Sequence, residues 1–218
     1  MEIEEFRKRL RKTFRNCLII NGGMIAFAWY SISPIGWGGG VILPFVMAMV
    51  LFITVFPFAM PIFPISLLFL IWKRYRIRAV FWLVVSLCYG GIGYGAFMAA
   101  EAIRMHGFAL LAKRSRPLIQ AIQAFETQHG VPPTRLQALI PDFLPAIPFT
   151  QMPAYPQFHY ETASQVDWFY GNSWTLYIPV LSGMMSFDRF FYFPLQNYPK
   201  SAYSGWIERV DDWAYAHE

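Results

Sequence analysis

The residues with the clearest chemical potential are four histidines, His106, His129, His159 and His217, and the short acidic stretches Asp188-Arg189 and Asp211-Asp212. The histidines are scattered, with no spacing that sets two on one element as metal ligands. His129, beside Gly130, reads as a helix-end residue. The two aspartate stretches lack the array of oxygen donors that calcium requires. No Gly-rich phosphate loop, nucleophile motif, Cys-x-x-Cys pair or zinc signature occurs. No catalytic, metal or cofactor-binding residue is therefore assigned, and no cofactor is expected. Because triads assemble in space, an enzyme site on the C-terminal part stays open as an alternative.

What remains is binding chemistry. Trp168-Phe169-Tyr170 and Phe190-Phe191-Tyr192-Phe193 put aromatics at consecutive positions, and Trp206 and Trp213 follow. Along a strand, every second side chain points to the same face, so each run sets aromatics on both faces. One face then meets another element, a partner or a membrane interface. Trp168, Phe169, Tyr170, Phe190, Phe191, Tyr192, Trp206 and Trp213 form a candidate aromatic interaction surface. A second candidate is made of small residues. Gly91, Gly95 and Ala99 are four apart, and Asn21-Gly22-Gly23 interrupts an apolar run. Small residues let helices approach closely in lipid, where no hydrophobic drive joins them. They would pack either within the chain or against another subunit.

The elements that position these residues follow from charge and hydropathy. Of 218 residues, 56% are apolar and 14% charged. From Leu18 to Ala100, Lys73, Arg74, Arg76 and Arg78 are the only charged residues. That is the pattern of spans divided by a polar loop. Spans are predicted near 17–35, 41–72 and 79–100, after an amphipathic basic helix over 1–16 that lies on the membrane or docks a partner. A signal peptide over 1–33 is disfavoured, because Ser31-Ile32-Ser33-Pro34 is a poor cleavage site.

Residues 41–72 exceed the length of an upright span, and Pro44, Pro57, Pro61 and Pro64 predict kinks. A single crossing there leaves both basic clusters in the cytoplasm, as the positive-inside rule requires, so three spans run N-in and C-out. Residues 1–116 hold 14 Lys/Arg against 4 Asp/Glu, and residues 117–218 hold 4 against 9. The basic excess thus faces lipid headgroups, and no nucleic-acid partner is expected. Cys17 and Cys88 both fall in spans, so no disulfide framework is implied.

Beyond residue 100, Ile103, Phe108, Leu111, Leu118, Ile122 and Phe125 keep helical spacing up to Gly130, with either a bend or the start of a new segment predicted at Pro117. Short strands are predicted at Phe158–Glu161, Val166–Tyr170, Ser173–Pro179 and Ser186–Phe193, with a tight turn at Gly171-Asn172. Trp206, Val210 and Trp213 fit one face of a final helix over Ser204–His217.

Ala121-Ile122-Gln123-Ala124-Phe125-Glu126, then His129-Gly130-Val131-Pro132-Pro133 and Leu136-Gln137-Ala138-Leu139, resembles the head of type II secretion pseudopilins, in the type IV pilin superfamily. Asp142-Phe143-Leu144-Pro145 continues that pattern, and Phe187-Asp188-Arg189-Phe190-Phe191-Tyr192-Phe193-Pro194 resembles the closing strand of such domains. The resemblance covers roughly residues 80–199 and rests on turn and packing residues, which report fold better than function. It implies an α+β membrane protein whose third transmembrane helix continues into a pseudopilin-like helix packed on a small antiparallel sheet. Residues 101–218 would form that periplasmic domain of a bacterial inner-membrane protein. Two extra spans set the chain apart from a fibre subunit.

The expected function is a non-catalytic accessory or scaffold subunit of an inner-membrane complex, its partners being membrane lipids and other membrane subunits. One alternative is a component of a transporter or secretion system using the Pro-broken second span. Against it, the spans lack ionisable groups at the midplane. The other alternative is a membrane-anchored periplasmic enzyme.

Overall fold

Helix and sheet divide the chain at Gly130. The computed structural model describes residues 3–32, 61–152, 154–163, 170–180, 188–200 and 205–217. The predicted strand Val166–Tyr170, most of the second span, and Pro44 and Pro57 lie outside the described residues. Two compact units emerge, one of residues 1–30 and 42–104, the other of residues 31–41 and 105–218.

In the first unit, helix α1 spans Ile3–Ile32, so the basic amphipathic segment and the first apolar run are one helix. Residues 61–69 are helical (α2). After a turn at residues 70–75 come α3, Arg76–Leu87, and a π-helical turn, Cys88–Ile92. Helix α4, Gly93–His129, follows directly. Together Arg76–His129 make a run of 54 residues, the one helix among those described that is long and apolar enough to cross a membrane. Helix α1 does not qualify, because Asn16, Asn21, Gly22 and Gly23 dilute its apolar half.

Helix α1 runs parallel to this long helix. The Phe6 and Phe81 rings lie 6.1 Å apart, the Cys17 thiol donates to the Cys88 carbonyl at 3.4 Å, and Asn21 Oδ1 lies 3.7 Å from where a Cβ on Gly93 would sit. Contact positions rise together along both helices, which defines the parallel sense.

The second unit packs the later part of α4 on a five-stranded antiparallel sheet. The strands are β1 His159–Thr162, β2 Trp174–Pro179, β3 Arg189–Tyr192, β4 Trp206–Val210 and β5 Trp213–His217, in the order β1-β2-β3-β5-β4. Phe108, Leu111, Leu118 and Ile122 form a buried stripe at steps of three, seven and four on α4. It meets Trp174, Leu176, Ile178, Phe190, Tyr192, Trp213 and Tyr215. Gly107 precedes the stripe at a close approach, since a Cβ there would lie 2.6 Å from Ile32 Cγ2.

Pro117 does not start a new segment: α4 stays helical through it. Pro117 and Lys113, whose carbonyl loses its helical partner, are both exposed, so solvent can satisfy that carbonyl. The helix stops where expected, at Gly130, whose φ of 77° is unstrained only for glycine. His129 sits at that end, its ring stacked on Phe125 at 4.1 Å and Nδ1 3.0 Å from the Phe125 carbonyl oxygen. A single turn of 3-10 helix, Leu136–Leu139, follows.

The predicted C-terminal helix over Ser204–His217 is instead the β4–β5 hairpin. Its register pairs Trp206 with His217 and Val210 with Trp213, around Asp211 at φ 57°. Aspartate tolerates that conformation better than most residues. Spacings of four and three fit a helical face, but Trp213 and Tyr215 also alternate with Ala214 and Ala216. The open edge of β3 decides between the two patterns by pairing with β5.

Candidate functional site

Several ionisable side chains of the C-terminal unit tie its elements together. Glu126, on α4, accepts hydrogen bonds from Ser173 Oγ at 2.7 Å and Trp174 Nε1 at 3.0 Å, joining helix to sheet. Arg116 pairs with Asp211 at 3.0 Å and so holds the β4–β5 turn. The buried Asp188 accepts from the Tyr215 hydroxyl at 2.7 Å. His159 stacks on Tyr177 at 5.2 Å and His217 on Trp206 at 4.3 Å, whereas His106 is exposed. Among the described residues no three His, Cys, Asp or Glu side chains converge to hold a metal.

On the sheet face away from α4, the Tyr177 hydroxyl donates to Glu161 at 2.8 Å, and Arg189 lies 6.0 Å from the Tyr177 ring. Burial and the Glu161 carboxylate push the Tyr177 phenol up to about 12, with Arg189 opposing. These contacts brace β1, β2 and β3 against one another.

Four of the eight residues of the candidate aromatic surface are buried: Phe190, Phe191, Tyr192 and Trp213. Phe190, Tyr192 and Trp213 face α4 and are core, because alternation in β3 and β5 turns them inward. Phe191 points to the opposite face and is also buried, together with Phe193, Ala214 and Ala216. Tyr198 closes that face. Its ring stacks on Phe193 at 5.4 Å, and its hydroxyl accepts from the Phe193 N–H at 3.0 Å and donates to the Asp212 carbonyl at 2.6 Å. The element expected to cover the second aromatic face is thus the chain's own segment after β3. Tyr198 carries no local signal of this role, since a tyrosine between Asn197 and Pro199 reads as loop.

Two residues of the proposed surface do face solvent, Tyr170 at 54% and Trp206 at 63% exposure. Trp168 and Phe169 lie outside the described residues. Tyr170 is held in place: Asn197 Nδ2 donates to its carbonyl at 2.7 Å, and Asn172 Nδ2 donates to Asn197 Oδ1 at 2.8 Å. Asn172 Oδ1 in turn accepts from the N–H of exposed Leu195 at 2.8 Å.

In the first unit the small residues divide. Asn21 is buried, donating to the Cys17 carbonyl at 2.8 Å, and it lies against Gly93. Gly22 and Gly23, its neighbours, are exposed, because residues one and two apart on a helix do not share its face. They do not join the α1 contact with the long helix. Gly91 and Gly95 are exposed and Ala99 half-exposed, and among the described residues nothing lies within 4 Å of a Cβ built on either glycine. Gly91 falls within the π-helical turn, a local widening that sequence spacing did not predict.

Fold and contacts together define an α+β protein with one long apolar helix and a small antiparallel five-stranded sheet. Comparison with family models, with curated proteins and with solved structures finds no match to the chain.

Proposed function

We propose that this chain is a non-catalytic accessory or scaffold subunit of a bacterial inner-membrane complex. It is anchored by three spans, N-in and C-out, and presents a pseudopilin-like domain to the periplasm. The observation that supports the scaffold role is the Gly91-Gly95-Ala99 stripe, both of whose glycines are uncovered among the described residues, on the one described helix long and apolar enough to cross a membrane. In lipid such a face is satisfied by a second helix whose backbone can come close. The parallel contact of α1 with the long helix supports the topology, because parallel neighbours need a returning crossing between them, which is the role the reading gives to the span over 41–72. The long helix ending at Gly130, the Leu136–Leu139 turn and the antiparallel sheet support the pseudopilin-like reading of the head.

Mild detergent extraction followed by native mass measurement tests the role. The wild-type chain is expected to carry at least one other membrane subunit, and the Gly91→Leu/Gly95→Leu double variant to lose it. A monodisperse wild-type monomer would falsify the scaffold reading. The topology is tested separately in a background lacking Cys17 and Cys88. Cysteines introduced as Tyr75→Cys and Gln157→Cys are expected to react with impermeant reagent from opposite sides of the membrane, and labelling from one side sinks the arrangement.

A further inference from the structure

The first unit holds a crevice of about 400 Å³ between α2 and α3. That is within the roughly 300–1,000 Å³ of small-molecule sites. Its walls are Ile62, Ile65 and Phe69 on one side and Tyr75, Ala79 and Trp82 on the other. Ser66 is the polar residue of its floor, and the Ser66 hydroxyl already donates to the Ile62 carbonyl at 2.6 Å. The lining is therefore mostly apolar, with the Ser66 hydroxyl already engaged and the Tyr75 phenol as its other hydroxyl.

The rim is different. Arg78 lines the crevice, and Lys73, Arg74 and Arg76 lie in the same turn and the start of α3, all exposed. Among the described residues no carboxylate pairs with any of the four, and from Leu18 to Ala100 the sequence contains no Asp or Glu. Phe69 and Tyr75 meet edge to face at 5.8 Å at this end. Tyr75 and Trp82 are the amphipathic aromatics found at headgroup depth. Arg78 on the lining, with exposed Lys73, Arg74 and Arg76 close to it in sequence and no carboxylate partner for any of them among the described residues, complements a molecule with an anionic head and a hydrocarbon tail.

We infer that the α2–α3 hairpin binds one anionic glycerophospholipid, with its phosphate on Arg78 and the neighbouring cations and an acyl chain in the crevice. The inference rests on the membrane placement proposed above and is independent of the scaffold role. Four cations at the surface draw an anionic headgroup, and the slot adds the chain contacts that make one lipid resident rather than one of many.

The test uses the full chain in detergent, titrated with phosphatidylglycerol and phosphatidylcholine of identical acyl chains and read by native mass measurement. Phosphatidylglycerol is expected to saturate one site at a concentration roughly tenfold or more below phosphatidylcholine, as near-surface cations give. Arg78→Gln is expected to reduce that preference several-fold, Ala79→Phe to lose both lipids, and the exposed control Arg135→Gln, on the C-terminal unit, to change neither. Equal affinity for the two lipids overturns the inference, as does full displacement by glycerol phosphate, which would mark a headgroup site without a chain. Because Ala79→Phe could disturb folding, a phosphatidylglycerol with a photoreactive acyl chain is used on the unaltered protein. Labelling concentrated within residues 62–82 supports the site, and labelling spread along the long helix overturns it. A chain that carries partner subunits but shows no lipid preference sinks this inference alone, and a lone chain with the preference sinks the scaffold role alone.

Discussion

Trp213→Ala is expected to destabilise the C-terminal unit by about 3–5 kcal/mol, the range for truncating a buried large aromatic. Trp213 is fully buried, stacks on Phe190 at 4.9 Å with an interplanar angle of 14°, and donates through Nε1 to Ser115 Oγ at 3.1 Å. The Ser115 hydroxyl in turn donates to the Ala112 carbonyl at 2.7 Å, so α4 and β5 are joined by a short hydrogen-bond chain inside the core. Truncation removes the stacking, leaves a cavity against α4 and strips Ser115 of its donor.

Ser115→Ala separates these contributions. It keeps the ring and leaves the indole N–H buried without an acceptor, a loss of about 1–3 kcal/mol. Urea unfolding of the full chain in detergent, followed by near-ultraviolet circular dichroism, measures both. A Trp213→Ala loss below about 1 kcal/mol would mean that the C-terminal hairpin does not anchor the unit, since most surface substitutions stay within about 0.5 kcal/mol.

The second large effect is expected from alkali. Four phenols of the C-terminal unit hold their protons more tightly folded than unfolded: Tyr192, raised by burial, and three others. Tyr160 is raised by burial and then by the Glu126 charge, Tyr177 by burial and then Glu161 to about 12, and Tyr198 by burial. A raised folded-state value means that the native state binds more protons than the unfolded chain, so stability falls as pH rises.

The contribution is complete below the ordinary tyrosine value of 10, declines above it, and for Tyr177 is gone by about 12. The melting temperature of the unit is therefore expected to be insensitive to these groups below pH 10 and to drop steadily beyond it. Tyr177→Phe should remove its share of the decline. Phenolate absorbance in the folded chain provides the check: all tyrosines ionising in one step at pH 10 would contradict the burial assigned to these four.

How far the sequence carries the fold differs from element to element. The long helix was legible because Phe108, Leu111, Leu118 and Ile122 repeat at helical spacing, and its end because glycine is the residue that relaxes into a positive φ. Strands β1, β2 and β3 lie within a few residues of their predicted ranges, since alternation survives in Trp174, Leu176 and Ile178. The C-terminal hairpin was not legible, because Trp206, Val210 and Trp213 satisfy a helical period as well as a strand one. Nor was the burial of Phe191 and Phe193, which hinged on Tyr198 reaching across from a loop.

By itself the sequence determined where charge is absent, where helices must stop and which positions share a face, because these follow from period, glycine and the cost of burying charge. Tertiary structure alone decided which aromatics are core, and it turned the last segment into two strands. Such outcomes depend on partners far along the chain: the indole of Trp213 finds its acceptor on Ser115, 98 residues away. A local pattern can offer two solutions, but only the element packed against it makes one of them lower in free energy.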